Sequence, residues 1–423
     1  MAEQADIVVV GAGGGGAILG LALARRGIKC LVLERAPGPP SGLRGEILQP
    51  NGQQILDRFG LLASLSPEVC NPVRQFHFCR VGGERLCTID YGMLPPPYDR
   101  ALVTLPNAAH HVILKALEVD APGSLRYGMQ FRGLVREGRR VTGVIAQENG
   151  TSIELSAKVV VGADGAFSKV RETLRVPTRL HCYQEGYLIA MLDNLEGLEA
   201  ARYFVGRRTI LGVFPAAGRK LYLFYMIPAG SIERIKASGL RALRDRWCQI
   251  DPSLKQTFQT LTDWEQTAYL PAARVQTGTW VTDGAVLIGD AAHAMNPHAS
   301  QGRMQAMMDA MALSDVLAGC LEHGDYSASV LSKFERLRRP QVRMLQRLAD
   351  EQVIFWNTGN PLLALLRDRV FRTLDHNRRL RYQVLVATAG LRADAPFGIV
   401  DRLMAAGLLP DPHADRLPPV TAS

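Results

Sequence analysis

The chain has 423 residues, 47% of them hydrophobic and 21% charged, with a formal net charge of +9. This is ordinary globular composition, long enough for two or three packed units, and it excludes a low-complexity or disordered chain. The basic surplus suits an anionic ligand or scattered solubilising charge; with no Lys/Arg tract interleaved with aromatics, it argues against nucleic acid.

In chain order, residues 7–24 form an uncharged, mostly apolar run between Asp6 and Arg25, long enough to mimic a membrane span. Glu3 and Asp6 precede it where a signal peptide has positive charge, and Gly13 to Gly16 would weaken a continuous helix. The run therefore divides into a strand over 6–10, a glycine turn and a helix to about residue 26. A second strand over 30–34 completes a βαβ unit, the start of a doubly wound sheet. Helical spacing is expected over 53–62 and 108–117, short strands over 76–100, and strand alternation over 125–161 with turns at Glu137-Gly138 and Asn149-Gly150. A second strand-rich stretch runs from about Tyr187 to Met226 and ends near Pro271. A buried strand follows at 285–289, then a long helix from about Gly302. From about Ser329 the chain is mainly helical and Arg-rich, fading into a proline-containing tail. The seven cysteines, odd in number and without a C-x-x-C pair, predict reduced thiols in a cytoplasmic protein and no metal site.

Three motifs carry chemistry. Gly11-Ala12-Gly13-Gly14-Gly15-Gly16 matches G-x-G-x-x-G between a strand and a helix, and Glu34 closes the next strand. Gly11 permits a sharp turn, Gly13 lets the backbone approach a pyrophosphate, and Gly16 lets helix and strand pack closely. The helix N-terminus offers free N–H groups to phosphate, and Glu34 accepts from ribose hydroxyls. The second motif, Asp164-Gly165-Ala166-Phe167-Ser168-Lys169-Val170-Arg171, is a strand entering a tight turn and then a helix. The third is Gly289-Asp290-Ala291-Ala292-His293 with Pro297 four residues on, followed by Gln301-Gly302-Arg303-Met304 at a helix start.

Together these motifs resemble the flavoprotein monooxygenases of the para-hydroxybenzoate hydroxylase type, over roughly residues 6–345. The segment Arg44-Gly45-Glu46-Ile47-Leu48-Gln49-Pro50-Asn51-Gly52 is similar to one in squalene epoxidases and, more loosely, in ubiquinone-ring hydroxylases. The resemblance implies an α/β fold, α+β overall. Its Rossmann-like FAD-binding domain would comprise residues 1–75, 100–180 and 276–345. A substrate sheet would comprise 76–99 and 181–275, and a helical region 346–423. It implies bound FAD, held by Gly11, Gly13, Gly14, Gly15, Gly16, Glu34, Arg35, Arg44, Asn107, Asp164, Gly289, Asp290, Pro297, Gly302, Arg303 and Met304. NADH or NADPH visits transiently, since only one G-x-G-x-x-G is present. The resemblance further implies that one oxygen atom of O₂ would pass through a flavin C4a-hydroperoxide to an electron-rich carbon, hydroxylating or epoxidising a lipophilic aromatic or isoprenoid-bearing molecule of the quinone, quinolone or polyene type. The flavin carries this chemistry, so no side chain is assigned as catalytic. His293 has a packing and hydrogen-bonding role, and Arg44, Pro297, His298, Tyr222 and Phe224 are candidates for the substrate pocket. Successive residues on a strand face opposite ways, so Tyr222, Phe224 and Tyr225 do not all line it.

Three departures stand out: Leu105-Pro106-Asn107 where many relatives place an Arg, Ser300 for a usual Gly, and Met304 for a usual Asn or Thr. The C-terminal stretch with Leu362, Leu363, Leu365, Leu366, Val370, Phe371 and Leu374 is expected to pack on the FAD domain with solvated arginines. Peripheral contact with an anionic membrane is the alternative. A monomer or homodimer is expected. A flavin-dependent reductase of isoprenoid double bonds and a non-catalytic flavin-binding protein are the rival functions. The W-x-W-x-I-P signature of halogenases is missing.

Overall fold

The residues 7–10, all apolar, sit in the middle of a mostly parallel sheet, buried on both faces as such strands require. In this computed structural model, which describes residues 3–43 and 46–417, the sheet order is Val281–Thr282, Ala285–Leu287, Thr151–Gly162, Glu3–Val10, Cys30–Leu33 and Leu125–Arg126. The hairpin Met129–Glu137 and Arg140–Glu148 extends it from Thr151–Gly162. Its turns fall where the Gly138 and Asn149-Gly150 signals stand, each with positive φ.

The uncharged N-terminal run is thus split between the strand Glu3–Val10 and the helix Gly14–Ala24. No helix of the described residues is long and apolar enough to cross a membrane. Gly14–Ala24 is buried along most of its length, under Gly302–His323 and beside Ala108–Asp120. Glycines make that depth possible: a Cβ at Gly20 would stand 2.7 Å from a Val32 methyl, and one at Gly15 3.0 Å from the Ala306 carbonyl.

A seven-stranded sheet runs Thr267–Thr277, Thr178–Asp193, Lys220–Pro228, Thr209–Ala216, Ala201–Gly206, Gln75–Arg80, Arg85–Asp90. It draws on two separated parts of the chain. Its last strand continues past Pro271 to Thr277, further than the sequence suggests, because Thr178–Asp193 is long enough to pair with it down to Thr178. One face is covered by Ile232–Ala237, Gly239–Ile250 and Lys255–Gln259, with Leu243, Trp247 and Ile250 against Leu223 and Tyr225. The other face carries Tyr222 and Phe224, as period-two alternation demands. Glu46–Leu48, Ala101–Thr104 and Cys70–Val73 form a separate small sheet that packs against Thr209–Ala216 of the seven-stranded one; the sequence pattern does not anticipate it.

The C-terminal helix Pro361–His376 packs on Arg85–Asp90 of the seven-stranded sheet, through Phe371 and Leu374, and not on the FAD domain as expected. Nor are its arginines solvated as a group. Arg367 is buried and paired with Asp368, whereas Arg369 and Arg372 are exposed as expected, Arg372 pairing with Glu84; on the next helix, Arg378–Thr388, Arg378 is exposed and Arg379 binds Asp401 and Asp411. The leucines at the helix start remain outside, with Leu362 74% and Leu365 64% exposed.

All seven cysteines are free thiols. Burial pushes Cys30 and Cys87 up to about 12 and Cys70 and Cys79 to about 11. The thiolate is the nucleophile, so iodoacetamide at neutral pH should label exposed Cys182 first. Mass spectrometry should find Cys30 and Cys87 unlabelled until the protein is denatured.

Candidate active site

The three motifs lie more than a hundred residues apart, yet sheet register brings them together. Val10 is paired with both Leu33 and Gly162, and Gly162 with Leu287. The residues that follow these strand ends are Gly11, Glu34, Ala163-Asp164 and Ile288-Gly289-Asp290. They therefore emerge side by side at the carboxyl edge, where open α/β sheets bind ligands. There a cleft of about 650 Å³ runs along Gly11 to Gly15, Glu34, Arg35, Asn107, Asp164, Gly289, Asp290, Gly302 and Arg303.

The glycine turn is built from close approaches. Gly11 has φ +104°, and a Cβ there would lie 2.5 Å from the Ala163 carbonyl oxygen; one at Gly16 would lie 1.9 Å from the Gly11 oxygen. Gly16 thus serves packing and does not line the cleft. Gly13 is the opposite case: nothing in the protein lies within 4 Å of a Cβ built on it. Its missing side chain leaves room in the cleft, not in the core. Glu34 ties the turn together, its Oε2 accepting from Ala12 N–H at 3.0 Å and its Oε1 from Ala36 N–H at 2.9 Å.

Beyond Glu34 the cleft is walled by Leu114, Tyr127, Met129 and Phe131, an apolar slot suited to a purine. His110 also lines it and was not among the expected residues. Asn107, in the left-handed conformation at φ 61°, donates to the Gly42 carbonyl at 2.8 Å. Its Oδ1 is buried with no hydrogen-bond partner among the described residues. The stem of Arg303 crosses Gly14 at the helix start. A long cleft with a glycine cradle, a helix N-terminus, an acid at the ribose position and an orphaned amide oxygen fits a flavin dinucleotide.

Asp164 lines the cleft and is half-buried, but its carboxylate is engaged by its own turn. It accepts from Ser168 Oγ at 2.5 Å and from the N–H groups of Lys169 and Val170 at 2.7 and 3.1 Å, capping Lys169–Leu174. Ser168 Oγ in turn accepts from Arg171 N–H, and Arg171 Nη1 donates to the Ala291 carbonyl at 2.8 Å. The second motif is therefore a brace that fixes the third. Arg171→Ala should cut FAD affinity at least tenfold, because the Ala291 turn loses its anchor; fluorescence titration of the apoprotein with FAD measures it.

Met304 also departs from expectation. Its side chain is buried on Gly52, where a Cβ would meet its sulfur at 2.2 Å, and does not line the cleft. Arg44 lies outside the described residues. Pro297 opens the short turn Pro297–Ala299 before the helix Gly302–His323, and Ser300 there takes φ 51°, the conformation a glycine would supply.

Beneath this turn lies a buried polar chain that the sequence reading missed. Asp309 Oδ2 lies 2.5 Å from His293 Nε2 and accepts from Gly289 N–H at 2.9 Å, while Oδ1 accepts from Arg338 Nε at 2.9 Å. Arg338 donates to Gln305 Oε1, Gln305 to Gln301 Oε1, and Asn51 Nδ2 to the same oxygen. Gln301 Nε2 then donates to the Thr388 carbonyl. All of these residues but Thr388, which is half-buried, are buried. Burial would raise the Asp309 carboxyl, but His293, Arg338 and their hydrogen bonds outweigh it and hold the pKa below the ordinary value.

On the sheet side of Pro297 the walls are aromatic. Tyr187 and Phe224 stack with centroids 4.2 Å apart. His298 stands edge-on to Tyr187, Phe224 and Trp356 at 5.5, 5.9 and 5.7 Å. Behind them Phe78, Tyr203, Phe214 and Phe371 continue the cluster, and Tyr222 stacks on Phe214. Burial alone lowers the His298 pKa to about 3, so the ring is neutral.

A family model described as an FAD binding domain matches residues 4–349. The chain belongs to that family and is an FAD-dependent monooxygenase of the group A, para-hydroxybenzoate hydroxylase type. Among its relatives, the 6-methylpretetramide 4-monooxygenase of Streptomyces rimosus is 29% identical over 350 residues, covering 81% of this chain and 82% of that protein. A kynurenine 3-monooxygenase of Salinispora tropica is 28% identical over 392 residues, covering 86% and 81%. Of solved structures, p-nitrophenol 4-monooxygenase PnpA from Pseudomonas putida aligns with a TM-score of 0.80 at 20% identity, covering 92% of this chain and all of that one (100%). The FAD expected from the three motifs is thereby borne out, as is the α/β fold with its helical C-terminal region.

Proposed function

We propose that the chain hydroxylates a lipophilic aromatic ring, with NADH or NADPH as reductant and O₂ as the oxygen source. The observation that carries this reading is the apolar, ring-lined wall of Tyr187, Phe224, His298 and Trp356 directly after Pro297. Planar substrates gain most from such walls, and rings that exclude water protect a reactive flavin from unproductive breakdown. The relatives named above are called after aromatic compounds, which supports a ring over a polyene.

When bound, the flavin supplies the oxygen transfer; the protein holds and orients. In this proposal Gly11 to Gly15 and Arg303 take the pyrophosphate, Glu34 the adenosine ribose, and Asp290 a ribityl hydroxyl. The N-terminus of Gly302–His323, whose Gly302 and Arg303 line the cleft, would stabilise negative charge on the bound flavin through its dipole. Arg35, Asn107 and Gly289 complete the cleft wall, and Asp164 acts through the brace to Ala291. Collection of an apolar substrate at a membrane surface would use the exposed leucines at the start of Pro361–His376.

Oxygen uptake tests the substrate class. Polycyclic phenols should stimulate NAD(P)H consumption at least tenfold with matching O₂ uptake, and squalene should not. Stimulation by squalene alone would replace ring hydroxylation by epoxidation. NAD(P)H consumption coupled to double-bond saturation without O₂ uptake would favour a reductase.

A further inference from the structure

One group in the aromatic wall is chemically out of place. His298 is 3% exposed, and neither ring nitrogen has a hydrogen-bond partner among the described residues. Two residues earlier, Asn296 is 1% exposed; its Oδ1 accepts from Tyr187 Oη at 2.9 Å, but its Nδ2 is likewise without a partner among them. Buried polar groups are normally satisfied, and leaving one unpaired costs stability. If His298 only filled space among Tyr187, Phe224 and Trp356, a phenylalanine would do so without that cost. The orphaned nitrogens sit in the turn that links the third motif to the helix Gly302–His323, beside the ring stack. Unpaired polar atoms on the turn that leads out of the third motif point to a partner that arrives with the ligand.

We propose that His298 is a recognition subsite for a hydroxyl group on the aromatic substrate, hydrogen-bonding it while Tyr187, Phe224 and Trp356 hold the ring. A neutral imidazole offers one donor and one acceptor on different sides of the ring, so one of its nitrogens meets the hydroxyl, either donating to its oxygen or accepting its proton. The low pKa imposed by burial keeps the ring in this form across the working pH range. The subsite selects substrates by affinity: a site with buried polar groups rejects an analogue that leaves them unpaired far more strongly than it prefers one extra methyl group. The proposal rests on the aromatic-substrate reading above.

The test uses FAD-loaded protein and two probes of equal shape, 2-naphthol and 2-methylnaphthalene. Their dissociation constants are read from perturbation of the bound flavin spectrum. Wild type should bind 2-naphthol the more tightly. In His298→Phe the ratio of the two constants should shrink at least tenfold, about 1.4 kcal/mol. His298→Asn, which keeps a donor and an acceptor, should retain part of the preference. Comparing ratios within each protein cancels general packing changes. His298→Phe should also melt no lower than wild type, since it removes unsatisfied polar atoms. A ratio in His298→Phe within twofold of wild type overturns the proposal. So does a wild type that shows no preference for the hydroxyl. The broader reading is judged separately, by FAD content and by 2-naphthol-stimulated O₂ uptake in the same wild-type preparation.

Discussion

Gly13→Val should yield a folded protein that purifies without yellow colour and binds added FAD at least 100-fold more weakly than wild type, a loss of about 2.7 kcal/mol. The reason is the geometry at this one position. Gly13 has φ −64° and caps the helix Gly14–Ala24 in extended backbone that any residue adopts. A Cβ there meets no protein atom within 4 Å, and Gly13 lines the cleft, so a side chain would occupy cleft space. The cost therefore falls on the ligand. Gly16→Ala is the contrasting control: its methyl group would stand 1.9 Å from the Gly11 carbonyl oxygen, so helix and strand must part. That variant should lose thermal stability even as apoprotein. Denaturation curves of the two apoproteins, beside FAD titrations, separate loss of ligand room from loss of fold.

Asp309→Asn should destabilise the protein by about 3–5 kcal/mol, the usual consequence of stranding a buried charge. Arg338 would keep its positive charge in a buried site, and His293 and the Gly289 N–H would lose their common acceptor. The double variant Asp309→Asn/Arg338→Gln should cost clearly less than the sum of the single variants, because no charge is left stranded. Acid sensitivity follows from the same pair. The folded-state pKa of Asp309 lies below the ordinary 3.8, so the unfolded chain binds the proton more readily. The stabilisation is complete above the ordinary carboxylate value and is lost as pH falls through the lower folded one. Urea denaturation between about pH 5 and 3 should show wild type losing this contribution and Asp309→Asn having none to lose.

The parts of the molecule that were legible in the sequence are those where one residue type answers one local demand. The strand at 6–10, the turn needing Gly11 and the acid ending the next strand are adjacent in the chain and announce a nucleotide site unaided. The second and third motifs became informative only through resemblance, because their meaning depends on sheet register that no local pattern encodes. Asp164 shows the limit: an acid in a turn beside a phosphate site reads as a ligand group, yet its oxygens are committed to Ser168, Lys169 and Val170. Met304 was read from its place after Gly302, whereas the bare surface of Gly52 draws it away.

The polar chain left a signal that was readable in principle. Gln301, Gln305, Asp309, Leu313 and Leu317 recur every four residues along one buried helix face. Polar groups at the head of an apolar stripe call for partners from another helix, here Arg338. Leu243, Trp247 and Ile250 likewise carried helical spacing for a helix that covers the sheet. What no spacing could reveal is the aromatic wall, whose rings come from residues 78 to 371: Tyr187 and Phe224 stack across neighbouring strands, and Phe371 reaches Phe78 from a C-terminal helix.

The most direct test of the account is turnover of a polycyclic phenol under ¹⁸O₂ with NAD(P)H, followed by mass spectrometry of the product. One ¹⁸O atom per product molecule, bound to an aromatic carbon, is the expected result. A product that carries no label from O₂ would contradict it.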